Sequence, residues 1–435
     1  MSGGRRVGTM RTVDRHAGDG SEGPVSASGG APRAAGAAVS LGLVLTCLAG
    51  TLLVGAVHKA PCAGGDWADG RQYRLLCYTD IVPLFGTEQL AGGRLPYLDR
   101  CAPSENNCDE YPVLTMYLMR AAGWLSGDDV ARFFWVNALL LAICAAVAAG
   151  CLYVIDPRRA LWFALAPTLA LQAFVNWDLL VVALSTAAAL AFFRRRDGWS
   201  GAVLGLGTAA KLMPGLLLVP FSAARLHDRQ PDRAIVLWWS AAAAWLAVNL
   251  PFAVLSLYGW WEFFRFNGAR GADWDSVWFL VDRHLGLRPP LWAINLASIV
   301  LLVVVVAVVW MVKRSREPEF PRWQLAFPIL VAFLLVGKVY SPQFSLWLLP
   351  WLVLVLPGPR RFLAFQAADL AVFLTRFSFF GDLTDVGGMP QWVFETAVVF
   401  RAGVLVWCVV GWIREPSRRV PIEGAAARPV PVGQT

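Results

Sequence analysis

AVSLGLVLTCLAGTLLVGAV, residues 38–57, carries no charged side chain. A run of that length and composition crosses the ~30 Å hydrocarbon core as a helix rising 1.5 Å per residue. The segment before it, residues 1–37, is rich in Gly, Ala, Ser and Arg and poor in large apolar side chains, so it reads as a disordered cytoplasmic tail. No convincing small-residue cleavage site follows the run, and its basic leader is long, which marks a retained anchor rather than a signal peptide. The run opens onto a polar stretch, residues 59–111, around which the rest of the chain is organised. Tyr78-Thr79-Asp80 lies within it and Asp109-Glu110-Tyr111-Pro112 closes it.

The apolar pattern continues through the chain. Further runs cover 130–155, 161–175, 179–193, 199–210, 212–224, 234–257, 291–312, 323–339, 344–357, 362–379 and 392–413. Of the 435 residues, 57% are hydrophobic and 16% charged, against about 25% charged in soluble domains. The expected fold is an all-α polytopic membrane protein with about twelve spans. Several are too short to cross unaided, and the pair around Lys211 reads equally as one broken or re-entrant element. The net charge of +8 lies in short loops and tails, which is the positive-inside pattern and not a nucleic-acid footprint.

That pattern also orients the chain. Arg158-Arg159, Arg194-Arg195-Arg196, residues 225–233, Lys313-Arg314, Arg360-Arg361 and residues 414–419 alternate with turns lacking Lys and Arg: 176–178, 340–343 and 381–391. Both termini are therefore expected in the cytoplasm of a multi-pass plasma-membrane protein. Two large outer regions result, 59–129 and 258–290. The agreement requires residues 112–125 to lie in the outer interface and not to span. One membrane domain, 38–413, is followed by a disordered cytoplasmic tail, 414–435.

Cys62, Cys77, Cys101 and Cys108 all fall in the first outer region. An oxidising compartment and closeness in sequence pair Cys62 with Cys77 and Cys101 with Cys108, free thiols being the alternative. With only His58 at its edge, the region lacks a zinc ligand set.

Asp80 reads either as a helix N-cap or as a general base at the membrane surface. Asp178, after Asn176-Trp177, is a helix-dipole partner or a site carboxylate. Lys211, between two apolar half-spans, must be paired or wet, and its compact charge suits a phosphate. In Lys338-Val339-Tyr340-Ser341-Pro342-Gln343, the proline frees backbone groups, and Lys338, Tyr340 and Gln343 gather a charge and hydrogen-bonding groups there. Arg132, Asn137, Arg265, Arg270, Arg283 and His284 are further candidate anion contacts. Arg376, Glu395 and Arg401, in or near the last spans, are expected to pair with one another. No P-loop, dinucleotide glycine pattern, Gly-x-Ser-x-Gly or His-Glu-x-x-His occurs, so neither a nucleotide nor a cofactor or metal site is expected.

Tyr78-Thr79-Asp80, Glu110-Tyr111-Pro112, Asn176-Trp177-Asp178, Lys211-Leu212-Met213-Pro214 and Val339-Tyr340-Ser341-Pro342-Gln343 occur in that order. With Ser341-Pro342-Gln343-Phe344 followed by Trp347-Leu348-Leu349-Pro350, they resemble family 87 of the GT-C glycosyltransferases. This actinobacterial group includes polyprenyl-phosphomannose-dependent mannosyltransferases. The resemblance runs from about residue 38 to 357. It implies a GT-C helical bundle that transfers a sugar, mannose in the relatives, from a polyprenyl-phosphate donor to a lipid or glycan acceptor at the outer face. Asp80 then corresponds to the catalytic carboxylate, and Tyr78, Glu110, Tyr111, Asn176, Asp178, Lys211, His284, Lys338, Tyr340 and Gln343 to substrate contacts. A lipid-linked sugar flippase or a non-catalytic envelope-assembly protein is the alternative. A transporter needs polar residues through the midplane, whereas here they cluster at one face.

Overall fold

The computed structural model describes residues 39–101 and 108–422. Every regular element among them is helical, as backbone in lipid requires. The tail expected over residues 1–37 lies outside the described residues. Helix α1 (Leu41–Lys59) leads into the first loop region, which carries α2 (Arg71–Arg74), α3 (Ile81–Thr87) and α4 (Val113–Ser126). Next come α5 (Val130–Ile155), α6 (Pro157–Ala164), α7 (Pro167–Gln172), α8 (Asp178–Phe193), α9 (Asp197–Ala210), α10 (Leu218–His227) and α11 (Pro231–Leu255). The second loop region holds α12 (Leu257–Ala269) and α13 (Val277–Leu285), and α14 (Leu291–Arg316), α15 (Ala326–Val336), α16 (Leu349–Val355), α17 (Pro359–Leu383) and α18 (Gln391–Arg414) complete the chain.

Among the described residues, six helices are long and apolar enough to cross a membrane: Leu41–Cys62, Val130–Ile155, Pro231–Leu255, Leu291–Arg316, Pro359–Leu383 and Gln391–Arg414. The expected count of twelve spans is not reached by long helices because several runs are broken. Residues 161–175 divide between α6 and α7 at Ala166, which is extended (φ −67°, ψ 121°) because the following proline disfavours helical backbone there. The chain around Lys211 is also broken. Lys211 is extended (φ −164°, ψ 141°) and caps α9, and a 3₁₀ turn, Met213–Leu217, leads on to α10. A second 3₁₀ segment, Pro342–Trp347, precedes α16.

Close packing makes these breaks useful. On α9, a Cβ at Gly205 would lie 2.2 Å from the Ala241 carbonyl oxygen, and one at Gly201 2.2 Å from that of Leu237. This small-xxx-small stripe lets α9 and α11 touch backbone to backbone. Helix α14 is the opposite case. Lys313 is its one buried residue, and apart from the side that meets α15 and α18 its apolar surface faces outward, as lipid-facing helices do.

Helix α4 packs one face along α5 and α9, with Met116 and Met119 fully buried, and leaves Trp124 and Leu125 exposed. At 14 residues α4 reaches only ~21 Å, short of a bilayer core. The chain after Arg414 is not loose as far as it is described. Ser417 bonds the Glu317 carboxylate at 2.8 Å, and Arg418 pairs with Asp156; the disordered tail expected from residue 414 does not include these residues. Residues 423–435 lie outside the described part.

Candidate active site

The Tyr78-Thr79-Asp80 segment is fixed by backbone before any side chain acts. The Asp80 N–H donates to the Val175 carbonyl at 2.8 Å, and the Thr79 hydroxyl donates to that of Phe174 at 2.7 Å. Lys59, the buried last residue of α1, places its ammonium 2.6 Å from the Tyr78 carbonyl oxygen. Cys62 and Cys77 form a disulfide with Cα atoms 5.8 Å apart, which ties the end of α1 to this segment.

Asp80 occupies the N-cap position of α3, yet its side chain makes no capping bond. Thr79 instead accepts the Ile81 N–H at 3.2 Å. The Asp80 carboxylate is turned the other way. Its Oδ2 accepts the side-chain amides of Asn176 at 2.7 Å and Gln343 at 3.1 Å. The Tyr78 hydroxyl is a further hydrogen-bond partner. Burial raises the Asp80 pKa, opposed by the hydrogen bonds from Asn176 and Tyr78. The result is a carboxylate with more affinity for a proton than a surface aspartate, held in a fixed orientation.

Asn176 also donates to the Tyr111 hydroxyl at 2.6 Å, joining the first loop's closing segment to the same group. That segment has its own clamp. The Glu88 carboxylate accepts the N–H groups of Asp109 and Glu110. Arg94 bonds Asp109 at 2.8 Å and the Glu88 carbonyl at 2.9 Å. The Tyr97 hydroxyl donates to the Tyr111 carbonyl. Cys101 and Cys108 are joined just before it. Burial pushes Glu88 up to about 8 and Glu110 up to about 7. Arg270 lowers Glu110 and Asp80 raises it, so both groups lie within electrostatic reach.

Beside Asp80 stands an ion pair. Lys211 Nζ is 2.6 Å from Asp178 Oδ1, which also accepts the Trp347 indole N–H at 2.7 Å. The ammonium lies 4.5 Å from the Phe344 ring centre, 5.2 Å from Trp347 and 5.8 Å from Tyr111. An aromatic box of this kind stabilises a cation that has left bulk water. Asp178 opens α8, where a carboxylate meets the helix dipole, and Lys211 caps the C-terminal end of α9.

The structure thus joins Tyr78, Asp80, Tyr111, Asn176 and Gln343 by hydrogen bonds, with Glu110, Asp178 and Lys211 within electrostatic reach of Asp80. Arg270, paired with Asp273 at 3.6 Å, reaches Glu110 electrostatically, and several candidates make their contacts elsewhere. Arg132 is exposed and paired with Asp129. His284 bonds Glu395 at 2.9 Å. Lys338 points its ammonium at the carbonyls of Asn267 (2.9 Å) and Gly268 (3.2 Å). Tyr340 is buried under Arg401, with its hydroxyl 3.2 Å from Ser345. Arg376 and Arg401 do not pair with Glu395. Arg376 bonds Asp275 at 2.5 Å and Asp273 at 3.3 Å, and Arg401 reaches Asp275 at 3.4 Å and Asp369 at 3.6 Å. This network fastens the second loop region to α17 and α18, since an intramembrane charge without a partner is costly.

Sequence reasoning missed Lys59, Glu88, Arg94 and the indole of Trp347. Lys59 carried a signal, a lysine ending an apolar run, and Trp347 lay inside a quoted motif. Nothing local marked Glu88 or Arg94.

No curated protein matches the chain by sequence. Among solved structures, ArnT from Cupriavidus metallidurans bound to undecaprenyl phosphate is similar at 16% identity and a TM-score of 0.43, covering 86% of this chain and 77% of that one. The profile of glycosyltransferase family 87 matches residues 110–342, more than half of the 435 residues. With its six membrane-length apolar helices, the chain belongs to glycosyltransferase family 87 as a membrane protein.

Proposed function

We propose that the protein moves a sugar, mannose by its resemblance, from a polyprenyl-phosphate donor to a hydroxyl of a lipid or glycan acceptor at the outer face of the plasma membrane. Asp80 is the general base. The observation that carries this reading is the Asp80 carboxylate held by Asn176 and Gln343, turned away from the helix it would otherwise cap.

In the step, the acceptor oxygen attacks the sugar C1 while its proton passes to Asp80. The bond from C1 to the phosphate oxygen breaks on the opposite face, and polyprenyl phosphate leaves with the electron pair. The anomeric centre inverts. Lys211 adds positive charge at the developing phosphate dianion, and Arg270, beside Glu110, is a second cation on the same side. Tyr111 and Glu110 orient the sugar through hydrogen bonds.

Purified protein in nanodiscs, given radiolabelled polyprenyl-phosphate mannose and a lipid extract as acceptor, should yield labelled lipid and one equivalent of polyprenyl phosphate per transfer. Movement of intact donor between leaflets without release of polyprenyl phosphate would make the protein a transporter instead.

A further inference from the structure

The arginine-rich turns play no part in the transfer step, yet arginines from three of them meet a fourth arginine, Arg322. Arg195 from the α8–α9 turn, Arg225 from α10, Arg322 before α15 and Arg419 after α18 line one cavity of about 310 Å³. The cavity is not near Asp80. Helix α8 carries Asp178 at one end and the cavity's Phe192 and Phe193 at the other. Its 16 residues separate the two by ~24 Å.

The cavity is constructed around its cations. Arg225 is held by Asp197 and the Phe192 carbonyl, both at 2.7 Å, with its guanidinium 3.9 Å from the Phe192 ring centre. Arg322 is held by the carbonyls of Phe320 (2.6 Å) and Pro318 (2.5 Å), with its guanidinium 4.1 Å from the Phe320 ring centre. Phe193 and Trp323 meet edge to face at 5.0 Å. These contacts fix two guanidinium planes over an aromatic floor, and Arg195 and Arg419 stand exposed at the rim. The lining acids are two, Asp228 and Glu319. Asp228 is 4.0 Å from Arg225, and Glu319 pairs with His227 at 3.1 Å. Counting Asp197, which holds Arg225, four arginines meet three carboxylates, which leaves one excess positive charge in a concave, partly aromatic space.

We infer that this cavity binds a phosphate-bearing anion. Guanidinium forks match phosphate oxygens in pairs, which a lone ammonium does not. The volume stands at the lower end of the ~300–1,000 Å³ typical of ligand sites. It therefore admits a phosphate and its ester group but no acyl chain. Leu226, next to the cavity, and Trp199, close by in sequence, are 57% and 69% exposed, as residues at a membrane interface are. A phospholipid headgroup and free phosphate are the two sources of this chemistry.

The test uses the full-length protein in detergent. Phosphatidylglycerol is titrated by native mass spectrometry against diacylglycerol, its phosphate-free counterpart. Inorganic phosphate is titrated by thermal shift against chloride at equal ionic strength. The variant is Arg195→Gln/Arg419→Gln, and the control is Arg288→Gln, which removes an arginine from the second loop region. Wild type and control should hold one phosphate-bearing ligand at least ~10-fold more tightly than the double variant, the loss expected when charge-assisted hydrogen bonds are removed. Saturation by phosphatidylglycerol alone assigns the site to a lipid headgroup. Saturation by phosphate alone, or by both, assigns it to the anion itself. If the double variant melts lower than wild type before ligand is added, Arg419→Gln alone carries the comparison with the same ~10-fold direction. The inference is overturned if neither ligand saturates, or if the arginine variant binds as tightly as the control.

Discussion

The ammonium of Lys211 lies 2.6 Å from Oδ1 of Asp178, while Oδ2 of the same carboxylate is buried without a hydrogen-bond partner among the described residues. A buried carboxylate with one open oxygen is stable only because the lysine is there. It also offers an acceptor to whatever enters beside the Phe344 and Trp347 rings. A structural role and the proposed site role of the pair separate by mutation.

Lys211→Met should lower stability by about 3–5 kcal/mol, because it leaves Asp178 charged and uncompensated. Adding Asp178→Asn should recover most of that loss, since the neutral amide no longer needs a cation. Sugar transfer should remain lost in both variants. Melting of the purified proteins and transfer assays on the same samples check this. Recovery of transfer along with stability in the double variant would show that the pair is purely structural.

Gln343→Ala should reduce transfer by about 10–100-fold, the worth of a hydrogen bond to a charged group, with little change in melting temperature. Gln343 reaches Asp80 from 263 residues away in sequence, so its effect reports the assembled site. A Gln343→Ala enzyme as fast as wild type would leave Asn176 and Tyr78 as the groups that orient Asp80.

How far the sequence foretold this arrangement differs from residue to residue. Asp178 and Lys211 were both visible as charges at the ends of apolar runs, where lipid makes an unpaired charge expensive. That they meet each other depended on the break at Lys211 and on the packing of α9 along α8. The Asp80–Gln343 bond was legible only as two short motifs in the right order. The Glu88–Arg94 clamp was not legible, because carboxylates that accept backbone N–H groups leave no spacing pattern. Long helices number fewer than the expected spans for a related reason: apolar content is visible in sequence, but Pro167 divides the run 161–175 into two short helices.

The Glu88 carboxyl sets a pH dependence. Its pKa in the folded protein is raised from 4.5 to about 8, mainly by burial. Between those values the folded state binds the proton more tightly than the unfolded one. Its stabilising contribution is complete below about 4.5 and is lost as pH rises through about 8, by up to ~1.4 kcal/mol per pH unit across that window. Glu110, raised to about 7, acts in the same direction. Melting temperature should therefore fall from pH 5 to pH 8.5, and Glu88→Gln should flatten the slope. An unchanged slope in that variant would remove Glu88 as the source.

The alternation of arginine-rich and arginine-free turns predicts both termini in the cytoplasm. Reporter fusions after Arg196 and after Asp385 should report inside and outside respectively. One side for both would overturn that orientation, and with it the outer-face placement of Asp80.

Asp80→Asn should abolish transfer with the fold intact. The side chain does not cap α3, since Thr79 takes the Ile81 N–H, so the helix loses nothing in the amide variant. The amide oxygen introduced there can still accept from Asn176 or Gln343, which keeps the local geometry. What the variant lacks is a group that takes up the acceptor proton, and that loss is at least ~10²-fold for acid–base catalysis. Donor affinity should change little, because the proposed donor contacts are cations and apolar helices and not the Asp80 carboxylate. Asp80→Glu should recover little, because the longer side chain displaces the carboxylate by about 1 Å from its Asn176 and Gln343 donors, and positioning-dependent steps tolerate such a shift poorly. Transfer by each variant in nanodiscs is measured alongside its melting curve and donor binding. Turnover near wild type in Asp80→Asn would exclude Asp80 as the base and pass the role to Glu110, whose raised pKa of about 7 makes it the next carboxylate to test.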